Sequence, residues 1–366
     1  MRRPVAAGSP VVVKIGSSSL TRSDGGLSDA AVARVVGHVA ALAQRGHPPV
    51  LVTSGSIAAG FPLLGMEKRP TEIAQLQAAA SVGQTRLMEQ YASSFSDHGF
   101  TVGQVLLTKD VLGNRAQYLN ARAALDQMLS FGVIPIVNEN DTVVVDELKL
   151  GDNDQLAALT AHLARAGMLV ILTDTDGIYT DDPRFSENAE LLSAVEHTDE
   201  VLDRVRRATG RGALGSGGVA TKIAAARMAA FSGIPTVIAG ADTPDVVALA
   251  VSGEDVGTWI DPRTESLSAR KLWIAFGLAA IGWISIDEGA VSAIRDDGRS
   301  LLAVGVTRVA EEFSRGDAIE VFDGARTLVA KGISRFDSSE LASGAGSHSA
   351  TIGGEVIHRD DLVVLT

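Results

Sequence analysis

The chain of 366 residues contains no cysteine, which excludes disulfide bonds, zinc-thiolate sites and thiol nucleophiles. Its seven histidines are scattered without a metal-ligand spacing, and no Ser-His-Asp arrangement is supported. Basic residues are also scarce, since 32 Lys and Arg stand against 44 Asp and Glu, for a net charge of −12. A general polyanion binder carries a basic patch or stripe, so this charge balance argues against nucleic acid as a ligand.

Long hydrophobic runs are lacking as well. Residues 272–286, LWIAFGLAAIGWISI, are 15 uncharged and mostly apolar residues. A membrane-spanning helix needs roughly 17 to 25 such residues, so we expect a buried strand or a domain seam here. The N-terminal stretch reaches Lys14 before an apolar region of signal-peptide length forms, which predicts a cytoplasmic protein with no membrane contact.

What the sequence does contain, from residue 11 to about 260, is an alternation of short β-branched runs with alanine-rich helical segments. The runs are VVVKI, VLVTS, VGQVLL, VIPIVN, LVILTD and TVIAG. Strands that are apolar on both faces and separated by helices predict an α/β fold, a three-layer sandwich with a mainly parallel central sheet. Binding loops are expected at the carboxyl ends of these strands.

The pattern changes near residue 261, where the polar stretch DPRTESLSARK is followed by short strands with turn signals. We therefore predict a first domain over residues 1–260, a linker over 261–276 and a small β-rich domain over 277–366.

Three of the predicted strands end in loops of small polar residues, over 14–19, 53–56 and 138–141. Glycine lets a ligand approach the backbone, and hydroxyl side chains add hydrogen-bond donors, so three such loops at one sheet edge favour a binding site. Lys14 ends an otherwise buried strand, where an ammonium needs a counter-charge unless its side chain reaches solvent.

Two acidic stretches follow further along the chain. Asp152, Asn153 and Asp154 begin a helical pattern, where they are typical of helix caps or of dipole partners. The stretch over 172–184, LTDTDGIYTDDPR, is either a solvated acidic loop or the edge of a nucleotide site, with Thr173 and Asp174 at the base or ribose.

Residues 212–222, GALGSGGVATK, contain many glycines in front of a lysine. They fail the Walker A pattern, because Ser216, Thr221 and Ile223 stand where it needs two glycines and a hydroxyl residue. They fit a dinucleotide turn only if a strand precedes Gly215, and a flexible linker is a third interpretation.

No general base stands out among these residues. A kinase whose acceptor is a carboxylate needs none, since the nucleophile is already ionised at neutral pH. Catalysis then consists of positioning together with charge neutralisation by lysines and Mg²⁺.

The motifs VVKIGSSSLT, VTSGSIAAG, YLNARAAL, PIVNENDTV, GDNDQLAAL, LVILTDTDGIYTDDPR and GALGSGGVATK occur in an order and spacing that resemble the amino-acid kinase superfamily. The resemblance implies ATP-dependent phosphorylation of the side-chain carboxylate of L-glutamate. The C-terminal pieces ISIDEGAVSAI, FSRGDAIEV and GISRF resemble a PUA domain. Residues 272–366 contain eight Lys and Arg and fourteen Asp and Glu. This acidic balance argues against RNA binding by the C-terminal domain.

The resemblance also implies roles for individual residues. Lys14 and Lys222 would contact the transferred phosphoryl group, and Asp154, with Asp152 beside it, would hold the lysines. Ser54, Gly55, Asp141 and Asn153 would bind glutamate. The remaining implied ATP contacts are Gly16, Thr173, Asp174, Ser216, Gly217, Gly218, Val219, Ala220 and Thr221.

ATP and Mg²⁺ are the implied cofactors, with the metal mainly on the ATP phosphates and its protein ligands unknown. The implied partners are L-proline as a feedback inhibitor, further copies in a dimer or tetramer, and glutamate-5-semialdehyde dehydrogenase as receiver of the product. A nicotinamide enzyme and an RNA-binding protein are the alternatives from other classes. Kinases of N-acetylglutamate, aspartate, carbamate and nucleoside monophosphates are the alternatives within the superfamily.

Overall fold

The computed structural model of the protein describes residues 2–22, 24–143, 152–186, 188–209, 218–264, 266–344 and 354–365. The chain divides into two compact units, Met1–Ser266 and Leu267–Thr366. The sequence predicts a first domain that ends at residue 260 and a second that begins at residue 277. These two boundaries stay a prediction.

The first unit is built on one sheet. Its strands are β1 (Val11–Ile15), β2 (Pro49–Val52), β3 (Val102–Leu107), β4 (Ile134–Glu139), β5 (Met168–Thr173), β6 (Ala194–Glu196), β7 (Thr236–Gly240) and β8 (Thr258–Asp261). Their order in space is β3-β4-β2-β1-β5-β7-β8-β6, and all neighbours run parallel except β7 and β8. The predicted mainly parallel sheet is confirmed. The sequence patterns missed only the short strands β6 and β8.

Helices connect these strands. They are α1 (Ser17–Leu20), α2 (Asp29–Gln44), α3 (Ser56–Gly60), α4 (Ile73–Ser96), α5 (Arg115–Ser130), α6 (Asp152–Leu163), α7 (Glu200–Thr209), α8 (Val219–Phe231) and α9 (Val246–Val251). Local sequence fixes several starts: the Ser28 hydroxyl accepts from the backbone of α2, and the Asn114 side chain accepts two N–H groups of α5.

The central strand β1 places its side chains on two faces. Val11, Val13 and Ile15 belong to a core shared with α2, α4 and α9. Because side chains alternate along a strand, Lys14 faces the opposite side, where α6 contacts β1. The chain pairs β1 with β2 on one flank and with β5 on the other. This reversal of strand order is the place where α/β sheets open a crevice for ligands.

The second unit has strands β9 (Gly282–Ile286), β10 (Leu301–Leu302), β11 (Val306–Ala310), β12 (Ala318–Phe322), β13 (Leu328–Ile333), β14 (Glu355–Ile357) and β15 (Leu362–Val364). Its helices are α10 (Ala269–Leu272), α11 (Glu288–Arg295) and α12 (Ser338–Gly344). Five strands form a sheet in the order β11-β9-β12-β13-β15, and β10 pairs with β14. The predicted β-rich C-terminal module is confirmed.

For residues 272–286 the sequence predicts a buried strand or a domain seam, and a strand is present only in the later part. Strand β9 begins at Gly282, whereas α10 and a π-helical turn, Trp273–Gly277, occupy the earlier part. The expectation of a strand is wrong for that part because the Ser268 hydroxyl caps a helix start there, accepting from the Lys271 N–H. Among the described residues, no helix combines the length and the apolar character needed to cross a membrane.

Candidate active site

The centre of the candidate site is a buried carboxylate between two lysines. Lys14 Nζ lies 2.5 Å from Asp154 Oδ1, and Lys222 Nζ lies 3.6 Å from Asp154 Oδ2. The Thr221 hydroxyl donates to the same Oδ2 at 2.7 Å. Lys14 is 4% exposed and Asp154 1%, so the counter-charge required by a buried Lys14 is present.

These groups shift one another's protonation. Burial lowers the pKa of Lys14; Asp154 opposes that shift, and the nearby charge of Lys222 adds to it. Burial acts to raise the pKa of Asp154, but Lys14, Lys222 and the hydrogen bond from Thr221 together hold it below its usual value. With Asp154 ionised and both lysines protonated, the three side chains carry a net charge of about +1, which favours an anionic ligand beside them.

The fold brings these residues together from three distant parts of the chain. Lys14 is on the central strand, Asp154 lies in the first turn of α6, and Lys222 lies in the first turn of α8. Unbonded N–H groups at a helix start attract anions, and the residue that caps α8 is Gly218, which has no side chain to accept from them. A Cβ at Gly16 would lie 3.3 Å from Lys14 Nζ, so glycine keeps the approach to that ammonium open.

A second cluster begins one residue before Asp154. Asn153 Nδ2 donates to Ser54 Oγ at 2.8 Å, to the Thr53 carbonyl at 3.0 Å and to Asn138 Oδ1 at 3.1 Å. Consecutive residues of α6 therefore reach the lysine pair, the loop that follows β2 and the carboxyl end of β4. The lysine cluster and this polar cluster adjoin at one edge of the sheet.

Asp141 belongs to the same edge. Its Oδ2 accepts from the Ser56 hydroxyl at 3.0 Å, which links the segment after β4 to the start of α3. Gly55 caps α3 with φ of 104°, a left-handed conformation that favours glycine, and a Cβ there would lie 3.1 Å from Leu27. Ser54, Gly55, Asp141 and Asn153 are therefore brought together.

The predicted nucleotide residues follow the neighbouring strand. Thr173 ends β5, next to β1, and its hydroxyl donates to Asp174 Oδ1 at 3.0 Å. Thr173 is buried and Asp174 is exposed. Gly218, Val219, Ala220 and Thr221 form the start of α8. Ser216 and Gly217 lie outside the described residues, and of Asp152 only its place at the start of α6 is described.

The sequence patterns missed several contacts of this site. The sequence patterns place Asn138 and Ser56 only in loops, whereas Asn138 lies in β4 and Ser56 begins α3, and they do not predict the hydrogen bond from Thr221 to Asp154. A signal was present for Asn138, since an amide at the end of the buried run PIVN requires partners. The dinucleotide interpretation needs a strand before Gly215. Residues 210–217 lie outside the described residues, and the segment before them is helix α7.

No group of three or more His, Asp or Glu residues suited to a metal ion is present in the described parts of the chain. Both oxygens of Asp154 are contacted by the two lysines and Thr221.

Comparison with known proteins places this geometry in a family. The model of the amino acid kinase family matches residues 9–240, and the PUA domain model matches residues 282–355. The chain therefore belongs to the amino acid kinase family.

Its relatives point to one branch of that family. It is 46% identical to a glutamate 5-kinase of Marinomonas sp., with all of both chains aligned, and 45% identical to that of Pelobacter propionicus, over 97% of each. A glutamate 5-kinase of Pseudomonas entomophila is 43% identical, again with both chains fully covered.

Proposed function

We propose that the protein transfers the γ-phosphoryl group of ATP to the γ-carboxylate of L-glutamate, giving L-glutamyl 5-phosphate and ADP in the first step of proline biosynthesis from glutamate. The observation that carries the proposal is the Lys14–Asp154–Lys222 arrangement beside the Ser54–Asn153 cluster. The similarity of the whole chain to proteins named glutamate 5-kinase supports the same activity.

In this mechanism a carboxylate oxygen of glutamate attacks the γ-phosphorus, and the bond from that phosphorus to the β–γ bridging oxygen breaks. Two lysines beside the transferred group offset the negative charge that spreads over its oxygens. Asp154 holds Lys14 and Lys222 in place and reduces their mutual repulsion. No proton transfer is needed, because the acceptor carboxylate is ionised at neutral pH.

Polar atoms of the second cluster suit an amino-acid head group. Because Ser54 Oγ accepts from Asn153, its own hydroxyl hydrogen can donate to a carboxylate. Asn153 Oδ1 is buried and has no hydrogen-bond partner among the described residues, and it is an acceptor suited to an ammonium. The negative charge of Asp141 favours an ammonium as well.

Magnesium would neutralise phosphate charge on bound ATP. We propose that the metal is held mainly by the phosphates of the nucleotide. For ATP itself, we assign phosphate contacts to Lys14, Lys222 and the backbone around Gly16 and Gly218, and base or ribose contacts to Thr173 and Asp174. Ser216 and Gly217 belong to the same assignment.

Regulation and assembly are part of this proposal on the strength of resemblance alone. We include feedback inhibition by L-proline at a site overlapping that of glutamate, a homodimer or homotetramer, and transfer of the acyl phosphate to glutamate-5-semialdehyde dehydrogenase. We also include a cytoplasmic location. Adding proline to the kinase assay, and measuring molar mass in solution, tests the first two.

The deciding experiment incubates the protein with ATP, Mg²⁺ and a series of acids, follows ADP, and traps the acyl phosphate with hydroxylamine. We expect hydroxamate with glutamate and little with N-acetylglutamate, because acetylation removes the ammonium that Asn153 Oδ1 and Asp141 would bind. Absence of glutamate-dependent hydroxamate, or equal rates with both acids, contradicts the proposal.

A further inference from the structure

A glutamine on helix α4 contacts the polar cluster from behind. Gln84 Oε1 accepts a hydrogen bond from Asn138 Nδ2 at 2.8 Å. Asn138 is 1% exposed and Gln84 9%, so water does not readily replace either partner. A buried amide left without its partner is costly, which makes this bond one that the site depends on.

The amide of Asn138 is held in one orientation by two contacts. Its Oδ1 accepts from the backbone N–H of Glu139 at 2.9 Å, and a backbone N–H is always a donor. Its Nδ2 must then be the donor toward Gln84. The contact with the backbone carbonyl of Thr53 identifies the donor atom of Asn153 in the same way, since only Nδ2 can donate to a carbonyl oxygen.

The result is a relay with one direction, from Asn153 through Asn138 to Gln84. It leaves Asn153 Oδ1 as an acceptor and the Ser54 hydroxyl hydrogen as a donor toward the ligand. Gln84 Nε2 is buried without a hydrogen-bond partner among the described residues, so Gln84 joins the relay through its side-chain oxygen.

Helix α4 is itself held close to this edge. A Cβ at Gly83 would lie 1.8 Å from the Ser56 carbonyl oxygen, so only glycine permits the contact between α3 and α4 there. Two turns along α4, the buried Tyr91 hydroxyl lies 2.7 Å from Thr53 Oγ1. Since Thr53 Oγ1 donates to the Ser54 carbonyl, Tyr91 is the donor of that pair. The backbone at Gln84 is therefore fixed relative to the loop of Ser54.

We propose that Gln84 is a positioning residue for the acceptor substrate: its side-chain oxygen orients Asn138, and through it Asn153, so that an acceptor atom faces the substrate ammonium. The inference rests on the proposed function only for the identity of the acceptor as glutamate. Gln84 contacts Asn138, whereas the two lysines contact Asp154, so its effect is expected on glutamate and not on ATP.

The test compares Gln84→Met, which keeps the size of the side chain and removes the oxygen, with Gln84→Glu, which keeps an acceptor oxygen in either protonation state. We expect Gln84→Met to raise the glutamate KM about tenfold, with the ATP KM and kcat within about threefold of wild type. Gln84→Glu should recover most of the loss. Gln75→Met, at an exposed glutamine of the same helix, is the matched control. An unchanged glutamate KM in Gln84→Met, or an equal loss in Gln84→Glu, overturns the proposal.

A double-mutant cycle identifies the route. If Gln84 acts through Asn138, Gln84→Met adds no further rise in glutamate KM to Asn138→Leu, whereas independent effects multiply. A crystal structure of Gln84→Met gives a readout that needs no activity. The Asn153 amide should leave hydrogen-bonding distance of Ser54 Oγ, and an unmoved Asn153 refutes the relay. Failure of wild type to phosphorylate glutamate would instead refute the proposed function.

Discussion

Each unit of the protein contains a buried lysine. One lysine is paired with a charged carboxylate, and the other donates to neutral backbone carbonyls. Lys14 in the first unit is 4% exposed and forms an ion pair with Asp154, with Lys222 close by. Lys331 in the second unit is 7% exposed and donates to the carbonyl oxygens of Ala275, at 3.2 Å, and of Leu278. Burial lowers the pKa of both ammonium groups.

The difference shows that burial alone does not mark a catalytic lysine. The carbonyls of Ala275 and Leu278 lie at the end of the helical segment after α10, where orphan carbonyls need donors, so Lys331 acts as a cap. Lys14 shares one carboxylate with a second lysine. The three groups together carry a net positive charge, so a bound anion stabilises them. The predictions below test this contrast, beginning with the largest expected effect.

Removing Lys222 should affect the reaction most. In Lys222→Met we expect kcat to fall by about 10³-fold, with a smaller change in glutamate KM, because the lysine acts on charge that develops during phosphoryl transfer. Steady-state kinetics with both substrates measures the two effects. Lys271→Met, in the second unit, is the control and should stay near wild type. A near-normal kcat in Lys222→Met would show that the lysine has another role.

Replacing Asp154 should damage both stability and rate. Asp154→Asn keeps the shape but leaves Lys14 and Lys222 facing each other without a counter-charge, at a cost of about 3 kcal/mol in the free energy of unfolding. Denaturant titration measures this. Asp126→Asn, which breaks the exposed ion pair with Arg165, should cost about 0.5 kcal/mol or less. Equal losses in the two variants would contradict the assignment of Asp154 as the centre of the site.

The contrast also separates what the sequence could predict from what it could not. Six strands and the need of Lys14 for a counter-charge followed from hydrophobic runs and the cost of burying an ammonium. The identity of Asp154 as partner required the resemblance, since a carboxylate at a helix start is ordinarily a cap. The roles of Gln84 and Lys331 depend on contacts between residues more than 50 positions apart. No local sequence pattern distinguishes Gln84 or Lys331 from a glutamine or lysine on the surface.

Lys331 should affect stability and leave catalysis unchanged. Lys331→Met removes the donor for two carbonyls and the cross-strand partner of Glu320, and we expect about 1 to 2 kcal/mol lower stability. Thermal unfolding followed by tryptophan fluorescence reports the loss. The kcat and both KM values should match wild type. A fall in kcat comparable to that of Lys222→Met would mean that a buried lysine in the second unit takes part in the reaction.

The alkaline pH dependence of kcat should include the loss of the Lys14 proton. Burial lowers the pKa of Lys14 below the ordinary value of 10.5, so Lys14 loses its proton at a lower pH than an exposed lysine does. The transferred phosphoryl group then lacks one of its two positive neighbours, and kcat falls. Lys14→Arg keeps the charge at all these pH values, so any residual activity of that variant should hold further into the alkaline range. Lys331→Met should leave the alkaline limb of kcat where wild type has it, although the pKa of Lys331 is lowered too, because its proton is not beside the transferred group.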